Sequence, residues 1–177
     1  MTLKLGILIS GNGSNLQAII DAIVDGRLDA EIAVVISNKP EAYGLQRAEA
    51  AGIPTAVTGD NAEIRRILAQ AGVDWVVMAG YMKLLGTEVL DAFPDHVLNL
   101  HPALLPAFPG AHAIEEAFNA GVPVTGVTVH IANERFDDGP ILAQVEVPVL
   151  PDDTLETLEM RIHEAEHKLL PDTLSAL

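Results

Sequence analysis

The sequence predicts an α/β fold over residues 1–177: an open, mostly parallel sheet with helices on both faces and an antiparallel portion in the C-terminal half. Three observations carry that expectation. Short aliphatic runs alternate with segments of helical period through the first half. Hydrophobic residues make up 49% of the chain and aromatic ones only 4%, so the core has to be built from Ile, Leu, Val and Ala, the residues of parallel strands covered on both faces. Past Ala120 the alternation gives way to two β-like segments joined by a turn.

Taken in order, the first unit is strand, glycine turn, helix. Leu5 to Ile9 is an aliphatic run, Gly11 to Asn15 reads GNGSN, and LQAIIDAIVDG carries helical periodicity up to Gly26. A second strand is predicted at Ile32 to Ile36, then a turn at SNKP and a helix from Tyr43 to Ala51. Pro54 to Val57 gives a short strand, Ala62 to Ala71 a helix, and Asp74 to Ala79 a buried strand. Such units join by right-handed crossovers, which makes their strands parallel, and Val97 to Leu100 continues the pattern. LHPALLPAFPG holds three prolines, each lacking an N–H and fixed in φ, so a fixed loop is expected there. His112 to Ala120 reads as a helix. Thr125 to Ala132 and Pro140 to Val149 read as strands, with Asp137, Asp138 and Gly139 supplying the turn chemistry of an antiparallel return. The last helix is expected from Thr154 to Leu170, stopping before Pro171. No repeat, low-complexity stretch or linker divides the chain, so one domain is expected.

Composition excludes several function classes. With no cysteine there is no disulfide scaffold, thiolate zinc site or Cys nucleophile. The opening MTLKLGILIS is too short for a signal peptide, and no apolar run approaches the roughly 20 residues of a membrane span, so the cytoplasm is the expected compartment and no membrane partner is expected. A net charge of −15, from 25 acidic and 10 basic residues, opposes nucleic-acid binding, which rests on Lys and Arg neutralising phosphates. Small-molecule substrates remain, in a monomer or a homodimer.

Several motifs carry chemistry. GNGSN after the first strand lets backbone approach an anion, and the following helix offers free N–H groups. It lacks the third glycine of a dinucleotide fingerprint and the Gly-Lys-Ser/Thr of a P-loop, and taken alone it equally fits a tight turn capped by Ser14 or Asn15. Asn99 and His101 sit at the C-terminal end of a predicted strand, where open α/β sheets bind ligands, and alternation puts both on one face. An amide can donate to a developing oxyanion and an imidazole can donate or shuttle a proton. Asp137 or Asp138 offers a carboxylate on a tight turn, though spacing alone does not bring that turn to His101. His163 to His167 matches H-E-x-x-H, but no third His or Glu ligand follows, so metal binding is not expected and the segment reads as the polar face of a helix. His96 and His130, on strand-like segments, read as structural, and His112, after Pro109-Gly110, as the start of a helix.

Together, ISGNGSNLQAIIDA (Ile9 to Ala22), ISNKPEAYGLQRA (Ile36 to Ala48), MAGYMKLL (Met78 to Leu85), NLHPALLPAFPG (Asn99 to Gly110) and VHIANERFDDGPILAQ (Val129 to Gln144) resemble the glycinamide ribonucleotide formyltransferase family, folate-dependent enzymes of purine synthesis with a Rossmann-like sheet. The resemblance implies transfer of a formyl group from 10-formyltetrahydrofolate to the amine of glycinamide ribonucleotide by direct attack through a tetrahedral intermediate, without a metal. It implies that Asn99 and His101 stabilise and protonate that intermediate, and that Asp137 orients His101 and favours its charged form. Gly13, Ser14 and Asn15 would hold the ribonucleotide phosphate, and His163 and Glu166 would contact the same substrate. Met82, Lys83, Leu84, Leu85, Asn99, Asn133, Glu134, Arg135, Phe136 and Asp137 would line the folate pocket.

Three positions depart from the family pattern. Asp138 stands where Gly is usual, the segment between Val57 and Ala62 is short and lacks the expected folate-contacting Arg, and little chain follows the last helix. Two relatives share the proline loop. Methionyl-tRNA formyltransferase calls for a further domain and a positive surface, and formyltetrahydrofolate deformylase lacks GNGSN. A non-catalytic nucleotide-binding module would not require the Asn99, His101, Asp137 trio.

Overall fold

The computed structural model describes residues 1–177. Side-chain alternation in the first strand, β1 (Leu3–Ile9), divides its core in two. Leu5, Ile7 and Ile9 pack on one face of the sheet with Leu16, Ile19 and Ile20 of α1 (Ser14–Val24), Leu45 and Ala48 of α2 (Tyr43–Ala50), and Leu170 and Leu174 of α6 (Leu155–Ser175). Leu8 points the other way, into a second cluster with Val34 and Ile36 of β2 (Ala30–Ser37) and Ile64 and Leu68 of α3 (Asn61–Gln70). Helices therefore cover both faces, as the aliphatic runs predict. Each buried Leu or Ile side chain contributes about 1.5–3 kcal/mol relative to exposure.

The remaining elements are β3 (Thr55–Val57), β4 (Trp75–Met78), α4 (Thr87–Leu90), β5 (Val97–His101), α5 (Ala113–Ala120), β6 (Val124–Ile131) and β7 (Ile141–Pro148). The seven strands form one sheet in the order β3-β2-β1-β4-β5-β6-β7. Pairings from β3 through β5 are parallel, and β6 and β7 add antiparallel. Strand order reverses between β1 and β4: β2 and β3 lie on one side of β1, β4 and β5 on the other. Loops leaving the carboxyl ends of β1 and β4 part there and open a crevice. A third cluster, Val127 and Val147 of β6 and β7 with Leu158 and Ile162, seats α6 on the antiparallel half.

Two expectations need correction. The last helix does not stop before Pro171 but runs through it to Ser175. The proline removes one N–H from the ladder, yet Leu170, Pro171, Thr173 and Leu174 are all buried, and the Thr173 hydroxyl donates to the Leu169 carbonyl at 2.7 Å. Burial against the α1 side of the core outweighs the break that a proline imposes on an exposed helix. The one-turn helix α4 carries too few residues for a period to show, and the sequence reading passes over it. Elsewhere element ends shift by one or two residues; β5 extends through His101, which places that side chain on the strand and not in the loop.

Candidate active site

The crevice is a cavity of about 500 Å³. Its walls come from the turn after β1 (Gly11 to Asn15), the loop after β4 (Ala79 to Leu85), the end of β5, the loop after β6 and the face of α6.

At its centre lies the end of β5. Antiparallel register sets Asn99 opposite His130 and His101 opposite Thr128, so alternation turns all four side chains to one face. The His101 ring is buried, with Nδ1 3.4 Å from Asp137 Oδ2 and Nε2 donating to the Phe108 carbonyl at 2.8 Å. The Asp137 carboxylate accepts from the Gly110 N–H at 2.8 Å, tying the loop after β6 to the proline loop. Phe108 and Asp137 both have positive φ, 51° and 53°. A left-handed residue reverses the chain locally; at Phe108 it turns the carbonyl onto His101, and Asp tolerates it better than most residues do. Asp138 has no such φ, which is why a side chain fits where glycine is usual; it lies on the surface, 3.4 Å from Arg135. Gly139 is fixed by close approach: an added Cβ would collide with the Ile131 carbonyl.

His130, read from sequence as structural, belongs to this centre. Its Nδ1 faces the Ile131 carbonyl at 3.0 Å and so carries the proton, which leaves Nε2 to accept from the Asn99 amide at 3.2 Å. Burial lowers its pKa and outweighs the Asp137 carboxylate 3.7 Å away, so the ring stays neutral and keeps that tautomer. The signal was the T-x-H alternation at Thr128 and His130, but its value depends on a register that sequence does not give.

Toward the β1 side, Gly13 is the N-cap of α1 with φ 75° and no side-chain cap. The alternative of a turn capped by Ser14 or Asn15 is therefore not what the chain builds, and the first amides of α1 stay free. Asn15 Nδ2 donates instead to Glu166 Oε2 at 3.2 Å, and His163 Nδ1 reaches the same oxygen at 2.9 Å. The hydrogen bond to Glu166 raises the His163 pKa. His163 and Glu166 line the main cavity, whereas His167 lines a separate one with Arg27 and Arg47, so the i, i+4 histidines do not converge.

On the other side, Met82, Lys83, Leu84, Leu85, Asn133, Arg135 and Phe136 line the cavity; Glu134 does not, and stays on the surface. Met82, Leu84 and Phe136 leave more than half their surface exposed around the mouth. The short segment after Val57 closes against this loop, because the Lys83 ammonium donates to the Gly59 carbonyl. Ser10 joins three loops, donating to Asn38 and accepting from the Met82 N–H at 2.8 Å.

Residues 3–174 match the family described as Formyl transferase. The chain belongs to the formyl transferase family. Its relatives include the phosphoribosylglycinamide formyltransferases of Bacillus subtilis, 42% identical over 98% of this chain and 94% of that protein, and of Haemophilus influenzae, 44% identical over 95% and 84%. The human trifunctional purine biosynthetic protein adenosine-3 is 42% identical over 97% of the chain, which spans 18% of that larger protein. Among solved structures, glycinamide ribonucleotide transformylase 1 from Symbiobacterium toebii superposes with a TM-score of 0.95 at 44% identity, covering 98% of this chain and 86% of that one. Within this formyl transferase, the mostly parallel sheet and its antiparallel β6–β7 portion agree with the sequence reading, and the fold as a whole with that relative.

Proposed function

We propose that this formyl transferase moves the formyl group of 10-formyltetrahydrofolate onto the amine of glycinamide ribonucleotide. The observation that carries the reading is the approach of Asp137 to His101 at 3.4 Å in one cavity with Asn99, the GNGSN turn and the Met82 to Leu85 loop. A substrate phosphate at Gly13, Ser14 and Asn15 meets unpaired amides and the positive end of α1. The exposed apolar rim of Met82, Leu84 and Phe136 suits the flat ring of a folate. The ribonucleotide amine attacks the formyl carbon, a C–N bond forms, and the carbonyl electrons move to oxygen. Asn99 then donates to that oxyanion, and so does a protonated His101 once its Nε2–H exchanges the Phe108 carbonyl for the oxyanion, each such donor contributing about 3 kcal/mol. Collapse breaks the bond to the folate nitrogen, which takes up the proton released by the amine.

Asp137 orients His101 and balances its positive charge, while neutral His130 anchors the Asn99 amide. These steps use this chain's own side chains, and a cytoplasmic setting belongs to the same proposal. The test is a mixture of purified protein, formylfolate and glycinamide ribonucleotide. Folate release that requires the amine and yields formylated ribonucleotide is the expected result; release at the same rate without the amine would make the chain a hydrolase.

A further inference from the structure

The GNGSN turn is gripped from outside the cavity by α2. The Gly44 N–H donates to the Gly11 carbonyl at 3.0 Å. Arg47 Nε donates to the Asn12 carbonyl at 2.8 Å, Nη2 to Asn12 Oδ1 at 2.7 Å, and Nη1 to Gln17 Oε1 at 3.4 Å. The guanidinium also stacks over the Tyr43 ring, 4.9 Å from its centre. Gly13 sits so close to α2 that an added Cβ would lie 2.6 Å from Gly44 Cα. All three hydrogen bonds of Arg47 go to neutral groups, in a chain with 25 acidic residues to choose from.

Peptide planarity gives this grip a direction. In a trans peptide the C=O of one residue and the N–H of the next point opposite ways. Drawing the Gly11 and Asn12 carbonyls onto α2 therefore turns the Asn12 and Gly13 N–H groups away from it. No α2 residue lines the main cavity, whereas Gly11 to Asn15 all do. The amides of Asn12, Gly13, Ser14 and Asn15 have no acceptor within the protein. A row of donors held in place before the ligand arrives costs less to order on binding.

We propose that Arg47 is a positioning residue for the ribonucleotide: it holds the Asn12 carbonyl of the turn outward, beside the Gly44 N–H that holds the Gly11 carbonyl, so that the turn's amides face the substrate phosphate. The proposal rests on the reading of Gly13, Ser14 and Asn15 as the phosphate site. Arg47 itself does not touch the substrate.

The experiment is steady-state kinetics at saturating formylfolate, with glycinamide ribonucleotide and with its dephosphorylated riboside, on wild type, Arg47→Ala and Arg47→Lys. Wild type should have a much lower KM for the ribonucleotide than for the riboside. Arg47→Ala should raise the ribonucleotide KM about tenfold or more, the worth of hydrogen bonds from a charged donor. The riboside KM, the folate KM and kcat should stay within about twofold. Arg47→Lys keeps the charge but lacks the fork that reaches both Asn12 oxygens, and should recover little. Equal weakening of both substrates, no weakening of either, or full recovery by lysine would overturn the proposal while the phosphate reading stands. If wild type itself does not distinguish ribonucleotide from riboside, the phosphate reading fails and takes the proposal with it. Should Arg47→Ala not fold, Asn12→Ala removes only the Oδ1 anchor; selective weakening of the ribonucleotide supports the proposal, and its absence refutes it.

Discussion

His101 faces two acceptors, the Phe108 carbonyl at 2.8 Å and the Asp137 carboxylate at 3.4 Å. On the neighbouring strand, His130 is a neutral ring whose one proton is spent on a backbone carbonyl so that its other nitrogen can hold Asn99. The His130 pKa is lowered, so stability tied to its neutral form is present above the ordinary value near 6.5 and lost as pH falls through the lowered folded value. Urea midpoints between pH 8 and 5 should therefore fall less steeply for His130→Asn than for wild type; parallel curves would show that burial does not hold the ring neutral. The same substitution should cut turnover by about tenfold through a loosened Asn99 amide, with the ribonucleotide KM little changed. The GNGSN turn and NLHP were legible from sequence because each sits in one loop or at one strand end. His130 was not, since its value lies in an antiparallel register.

At the scale of elements, the aliphatic runs of β1, β2 and β4 predicted a parallel sheet because strands covered on both faces leave few polar positions. The end of α6 escaped the same reading. Pro171 is a local signal to stop, and what overrides it, the burial of Leu170 and Leu174 beside α1, is a contact between the two ends of the chain. Leu174→Ala should cost about 2–4 kcal/mol in denaturant unfolding, as for other buried leucines. A change below about 0.5 kcal/mol would mean that the helix ends before Pro171 after all. The entry to α6 is fixed by a different device, a Thr154–Thr157 capping box and an Arg161–Asp153 ion pair at 2.8 Å that also reaches the Pro148 carbonyl. The arginine holds the Asp153 carboxyl well below the usual carboxylate range. Its stabilisation is thus present at neutral pH and lost only in strong acid.

Over the whole molecule, a net charge of −15 surrounds a cavity that the proposed function fills with an anionic nucleotide. The field of the protein opposes that encounter, and the local donors of the turn, His163 and Lys83 must overcome it at short range. Salt screens the distant charges first. Raising ionic strength from about 10 to about 150 mM should therefore increase kcat/KM for the ribonucleotide, read at subsaturating substrate. A steady decrease would mean that a local positive field dominates the approach. The proposed function puts both substrates at the point where strand order reverses, so the reacting groups come from segments far apart in sequence, His101 on β5 and Asp137 after β6.

Turnover of Asp137→Asn, with both substrates saturating and the fold verified by its unfolding midpoint, tests the account at its centre. Asparagine keeps the size of the side chain and removes the charge beside His101. A fall in kcat of about 100-fold or more is expected, with the ribonucleotide KM within about threefold. A kcat close to wild type would contradict it.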